Sequence, residues 1–131
     1  MIFVILVTEA PYNSQNSYSA YLFTKAVIQT KNIVKNIFFY RNGVCNANKN
    51  IKFDNDGFNL LNSWKELSIK HRIDLYLCIS SAKKRGLILK EKNNFINLKK
   101  RINNIIDSNF KITTLSTFTK SILTCDRLVQ F

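Results

Sequence analysis

The sequence predicts one α/β domain over residues 1–131, a three-layer sandwich with a mostly parallel five-stranded sheet and helices on both faces. Three observations predict it. Ile2–Val7 is a continuous β-branched and apolar run, the pattern of a strand buried on both sides, and Val34–Tyr40 has Ile37, Phe38 and Phe39 at its centre. Segments with apolar residues at helical spacing alternate with such runs, which implies parallel crossovers. A length of 131 residues with 46% hydrophobic composition suits one core.

Each element follows from its residues. The first strand is Ile2–Val7. Glu9 to Asn16 is a loop marked by Pro11, the single proline. Ser17 or Ser19 is the expected cap of the next helix, whose apolar face is Ala20, Phe23, Ala26 and Val27; Lys31 and Asn32 end it. The second strand, Val34–Tyr40, leads to a loop over Arg41 to Asn48. Asp54, Asn55, Asp56 and Gly57 are expected to open a helix with Leu60, Leu61, Trp64 and Leu67 as its buried stripe. A third strand follows, Ile73-Asp74-Leu75-Tyr76-Leu77-Cys78-Ile79. After Gly86 the pattern weakens. Phe95, Leu98, Ile102, Ile105 and Ile106 fit one helical face, Phe110–Thr114 a fourth strand, Leu115–Thr124 a last helix and Arg127–Phe131 a last strand.

No apolar run approaches the roughly 20 residues a membrane helix needs. Ile2–Val7 lacks the basic flank of a signal peptide, so a cytoplasmic location is expected. Twenty Lys and Arg against eight Asp and Glu give a formal charge of +12. That balance invites phosphate contacts, yet the cations run from Lys25 to Arg127 without forming one stripe, and they equally suit an acidic protein partner. Three cysteines at wide spacing, Cys45, Cys78 and Cys125, argue against a disulfide framework. With His71 as the one histidine and no Cys-x-x-Cys pair, no metal site is expected. The first loop has no glycine, so neither a dinucleotide-binding nor a P-loop motif is present and no cofactor is expected.

In a parallel sheet, chemistry gathers outside the carboxyl ends of the strands. Thr8, Tyr12, Arg41 and Cys78 converge there if their strands are neighbours. Cys78 is the candidate catalytic residue. It ends a buried strand, small residues Ser80 and Ser81 follow it, and Lys83, Lys84 and Arg85 lie just beyond. A helix start and nearby cations both favour thiolate, the nucleophilic form. The same three cations also fit a docking patch, and both roles stay open. Cys45 has uncharged neighbours, and Cys125 reads as structural. His71 falls at the far end of the Cys78 strand, too distant to serve it as a base.

Further stretches carry a family resemblance. Thr8, Tyr12, Gln15 and Ser19-Ala20 are followed by Phe38-Phe39-Tyr40-Arg41-x-Gly43-Val44-x-Asn46-Ala47-Asn48. Then come Cys78 with Arg85-Gly86, and Leu123-Thr124-Cys125-Asp126-Arg127-x-Val129-Gln130-Phe131. Over essentially its full length the chain resembles the sulfur carriers of the DsrE/DsrF-like family. It departs from the family pattern in three places: the glycine-poor first loop, Cys45 in place of an aromatic, and Thr114 and Ser116 in place of glycines. Residues 87–109 match poorly.

The resemblance implies a persulfide sulfurtransferase acting in the relay that thiolates tRNA wobble uridine. It implies TusB-like and TusC-like subunits in a heterohexamer, a TusA-like donor and a TusE-like acceptor, with Cys78 accepting the sulfur. The competing expectations are a non-catalytic structural subunit of the same complex, or a tRNA-binding module.

Overall fold

The computed structural model describes residues 1–54, 57–88 and 105–131. Five strands form one sheet: β1 (Ile2–Val7), β2 (Ile33–Phe39), β3 (Asp74–Cys78), β4 (Phe110–Thr113) and β5 (Arg127–Gln130). Their order is β4-β3-β2-β1-β5, and every neighbouring pair is parallel. The chain therefore steps outward from β1 to β4 and then crosses the whole sheet to lay β5 beside β1. Among the described residues, no helix is long and apolar enough to cross a membrane.

The helices cover both faces, as the sequence predicts. Helices α1 (Asn16–Gln29) and α2 (Leu60–His71) lie on one face. Phe23 of α1 meets Phe3 edge-on at 6.0 Å, and Trp64 of α2 meets Phe39 at 5.4 Å and Tyr21 at 5.5 Å. Helix α4 (Leu115–Ile122) lies on the other face. There Phe118 packs on Phe38 at 4.9 Å, and Ser121 accepts a 2.8 Å hydrogen bond from the buried Asn36 amide. Consecutive strand residues point to opposite faces, so Phe38 and Phe39 hold the two helix layers from adjacent positions. Both are fully buried. The short helix α3 (Ile79–Lys84) follows β3 directly.

The helix starts differ from expectation. Ser17 and Ser19 do not cap α1. Ser17 is buried in its first turn and donates to the Glu9 carbonyl at 2.6 Å. Thr24 joins Ala20 and Val27 on the buried face, where its hydroxyl is satisfied by the Ala20 carbonyl at 2.7 Å, and Ala26 is exposed. Helix α2 begins at Leu60, capped by Asn59, whose Oδ1 accepts from the Asn62 N–H at 3.0 Å. Asp54 and Gly57 instead close a turn through Gly57 N–H and Asp54 carbonyl at 2.8 Å. Asn55 and Asp56 lie outside the described residues, as do Phe95, Leu98 and Ile102 of the expected helical face. Arg41–Ala47, expected as loop, is a 3-10 helix.

Phe38→Ala removes the ring between α4 and the sheet. Urea denaturation is expected to show a loss of about 3–5 kcal/mol, the usual cost of truncating a buried aromatic.

Candidate functional site

β1, β2 and β3 are adjacent, so their carboxyl ends form one edge. The segments leaving that edge are fastened together. Gly43 in the 3-10 helix donates its N–H to the Thr8 carbonyl at 3.1 Å, and a Cβ there would sit 2.0 Å from the Val7 carbonyl oxygen. Only glycine allows that approach. Arg41, held at φ 51°, donates its N–H to Ser81 Oγ of α3 at 3.0 Å. Arg85, just past α3, donates Nε to Asn42 Oδ1 at 2.9 Å and Nη1 to the Ser81 carbonyl at 3.2 Å.

Beneath these contacts lies a buried polar centre, Asn46. Its amide shares two protons among the Gly43 carbonyl at 2.9 Å, Ser17 Oγ at 3.0 Å and the Glu9 carbonyl at 3.1 Å. Its Oδ1 accepts from the Trp64 indole at 3.3 Å. One side chain thus joins the first loop, α1, the 3-10 helix and α2.

Above that centre opens a cleft of about 370 Å³. Glu9, Ala10, Tyr12 and Asn13 line it from the first loop, Asn42 and Cys45 from the 3-10 helix, and Arg85 from the end of α3. The Tyr12 phenol lies against Cys45. Charge repulsion from the sulfur, then the hydrogen bond between the two side chains, then burial push the phenol pKa above its ordinary 10.0. Cys45 is a lining residue that its uncharged sequence neighbours did not reveal. What places it there is the 3-10 fold of residues 41–47.

The four residues expected to converge do not share this cleft. Tyr12 lines it. Thr8 instead donates Oγ1 to the Phe131 carbonyl at 2.8 Å. The Arg41 guanidinium stands over the Tyr40 ring at 5.6 Å. Cys78 is 1% exposed and belongs to the hydrophobic core. Its register with Thr113 of β4, and the alternation from Tyr76, place its side chain on the α4 face of the sheet. Lys83 and Lys84 are exposed in the last turn of α3. Lys83 lies five residues beyond Cys78, roughly 7 Å along the helix axis. Arg85 turns toward Asn42.

His71 is exposed in the last turn of α2, at the opposite end of β3. Cys125 is half-buried, with its thiol donating to the Ile122 carbonyl at 3.4 Å. All three cysteines are free, and no metal-binding group of three or more His, Cys, Asp or Glu side chains occurs among the described residues.

Comparison with known proteins bears on this geometry. The model of the DsrE/DsrF-like family matches residues 1–131. The protein named Sulfurtransferase TusD in Buchnera aphidicola subsp. Acyrthosiphon pisum (strain 5A) is 44% identical over 131 residues, all of both chains. The protein of that name in Photorhabdus laumondii is 34% identical over 129 residues, 98% of this chain and 96% of its own. The crystal structure of the ychN protein from E. coli superposes with a TM-score of 0.75 over 100% of both chains at 19% identity, which shows a shared fold.

Three outcomes are expected. Asn46→Ala leaves the Trp64 indole N–H without its acceptor and removes the bonds to Glu9, Ser17 and Gly43. It should cost about 2–3 kcal/mol in urea unfolding, with an altered near-ultraviolet Trp64 signal. Cys45→Ala should lower the Tyr12 titration midpoint toward 10.0, read by NMR of ring-labelled tyrosine. In the native protein, a thiol reagent should modify half-buried Cys45 and Cys125 before buried Cys78, followed by peptide mass mapping.

Proposed function

The chain belongs to the DsrE/DsrF-like family, and we propose that it is a sulfurtransferase subunit that carries sulfur as a persulfide on Cys78. The observation that carries the proposal is the full-length identity, 44% over all 131 residues, to a protein named Sulfurtransferase TusD. The fold supports it by setting Cys78 at the carboxyl end of β3, the edge where parallel sheets place their chemistry.

Two thiol exchanges make up the cycle. The Cys78 thiolate attacks the outer sulfur of a donor persulfide. The donor's sulfur–sulfur bond breaks, the donor leaves as a thiolate, and Cys78 holds the transferred sulfur as Cys78–S–SH. An acceptor thiolate then attacks that outer sulfur and releases Cys78 as a thiolate. Each step forms one sulfur–sulfur bond and breaks one, so no external oxidant, reductant or metal enters the balance.

In this scheme the donor is a TusA-like protein and the acceptor a TusE-like protein. The chain assembles with TusB-like and TusC-like subunits, and the sulfur is destined for tRNA wobble uridine. Exposed Leu115, Leu123 and Leu128 on α4 and β5 supply apolar surface for assembly. Lys83 and Lys84 supply cations for docking an acidic partner.

Burial of Cys78 favours a second reading, a structural subunit whose thiol is inert. The two separate in one experiment. After incubation with a persulfide-charged donor, the protein should gain one sulfur by intact mass, mapped to Cys78, and Cys78→Ser should gain none. Equal uptake by Cys78→Ser sinks the Cys78 assignment. No uptake by either protein, in the presence of the partner subunits, supports the structural role.

A further inference from the structure

The sheet register sets a hydroxyl pair beside Cys78. Cys78 of β3 pairs with Thr113 of β4 in parallel register, and partners in a parallel sheet share a face. Thr113 Oγ1 lies 2.6 Å from Thr117 Oγ1, in the first turn of α4. Two further contacts fix α4 on this face, Phe118 on Phe38 and Ser121 to Asn36. The thiol, the hydroxyl pair and the amino end of α4 therefore share one side of the sheet. The sulfur is almost completely buried and makes no hydrogen bond among the described residues.

The hydroxyl pair has a donor to spare. Two hydroxyls carry two protons, and one of these lies between the oxygens. The other has no acceptor among the described residues. An anion formed on Cys78 is such an acceptor. The amino end of α4 adds positive potential of the same sign.

The geometry points to Thr113 and Thr117 as the groups that stabilise the Cys78 thiolate, and the Cys78 persulfide anion, by donating a hydroxyl proton to sulfur. The inference rests on Cys78 carrying the sulfur. A donor to the charged form lowers a thiol pKa, so removing it raises the midpoint.

Other titratable groups near Cys78 are already engaged or distant. Asp74, on the same face, bonds to Lys111 at 2.6 Å and to the Tyr76 hydroxyl at 3.1 Å. Tyr40 and Arg41 at the end of β2 face each other. On α3, Lys83 and Lys84 are exposed, and Arg85 is held by Asn42 and Ser81. The first turn of α4 carries no acidic residue.

The test uses the full chain with Cys45→Ala and Cys125→Ala, leaving Cys78 as the single thiol. Its rate of alkylation by iodoacetamide is followed against pH, and sulfur uptake from inorganic polysulfide is followed by intact mass. Thr113→Val with Thr117→Val should raise the alkylation midpoint by about one pH unit and slow uptake at pH 7 roughly tenfold. Thr113→Ser with Thr117→Ser keeps both hydroxyls and should restore both readouts. The Thr117→Val single variant, at a half-buried helical position, serves if the double valine variant fails to fold, and should shift the midpoint the same way. An unchanged midpoint in folded valine variants, with Cys78 still loading sulfur, overturns the hydroxyl assignment alone. Undiminished loading after Cys78→Ser in the chain that keeps Cys45 and Cys125 overturns the sulfur-carrier reading beneath it.

Discussion

The candidate site depends on one buried amide. Asn46 is 2% exposed, and its side chain ties four chain segments together. A buried polar side chain costs free energy unless its hydrogen bonds are made. Here the bonds run to Glu9 and Gly43 in the backbone, Ser17 in α1 and Trp64 in α2. Satisfying them fixes the position of the first loop and the 3-10 helix above the sheet. The cleft walls follow from that, because Glu9, Ala10, Asn42 and Cys45 belong to those two segments. Gly43 meets the same constraint from the other side, since its backbone lies directly on the end of β1.

The sheet divides the thiols into different environments. Cys78 faces the α4 layer from the end of β3, closed from solvent, with Thr113 beside it. Cys45 lines the cleft against Tyr12. Cys125 lies in the turn between α4 and β5, near the amino ends of the strands. Thiol exchange depends on access as well as on thiolate content. The closed environment of Cys78 therefore shields it from reagents in solvent, whereas Cys45 and Cys125 are half-buried. Lys83 and Lys84 stand at the surface beyond Cys78, while Thr113 and Thr117 lie on its own face of the sheet.

The layer that covers Cys78 is also the thinly packed one. Within α4 only Ser121 is buried, and both faces of β5 are largely open. Leu123 at the end of α4 is 78% exposed. Helix α4 is held by the Asn36–Ser121 and Phe38–Phe118 contacts and by the bond from Lys35 to Thr124. An assembly partner seated on this surface would bury apolar side chains that the isolated chain leaves in water.

The sequence by itself determined the five strands, their alternation with helices and the two buried layers. Apolar strand runs and period-3.6 hydrophobicity are local properties, and Ile2–Val7, Ile37–Phe39 and Leu60–His71 display them within a few residues. The same locality made Cys78 visible at a strand end, and it let the resemblance name the family that the full-length matches show. Helix starts were less legible. Asn59 outcompeted the Asp54–Gly57 cluster as a cap through a bond that neighbouring residues decide.

Tertiary structure alone decided the roles that need residues far apart in the chain. Ser17 looked like a cap and is a pin to Glu9. Cys45 looked unremarkable and lines the cleft. The strand order β4-β3-β2-β1-β5 put Thr113 next to Cys78, 35 positions away in sequence. The physical reason is that side-chain hydrogen bonds, burial and strand register are pairwise in space. A sequence states what each residue can do, and the folded chain states which partner it does it with.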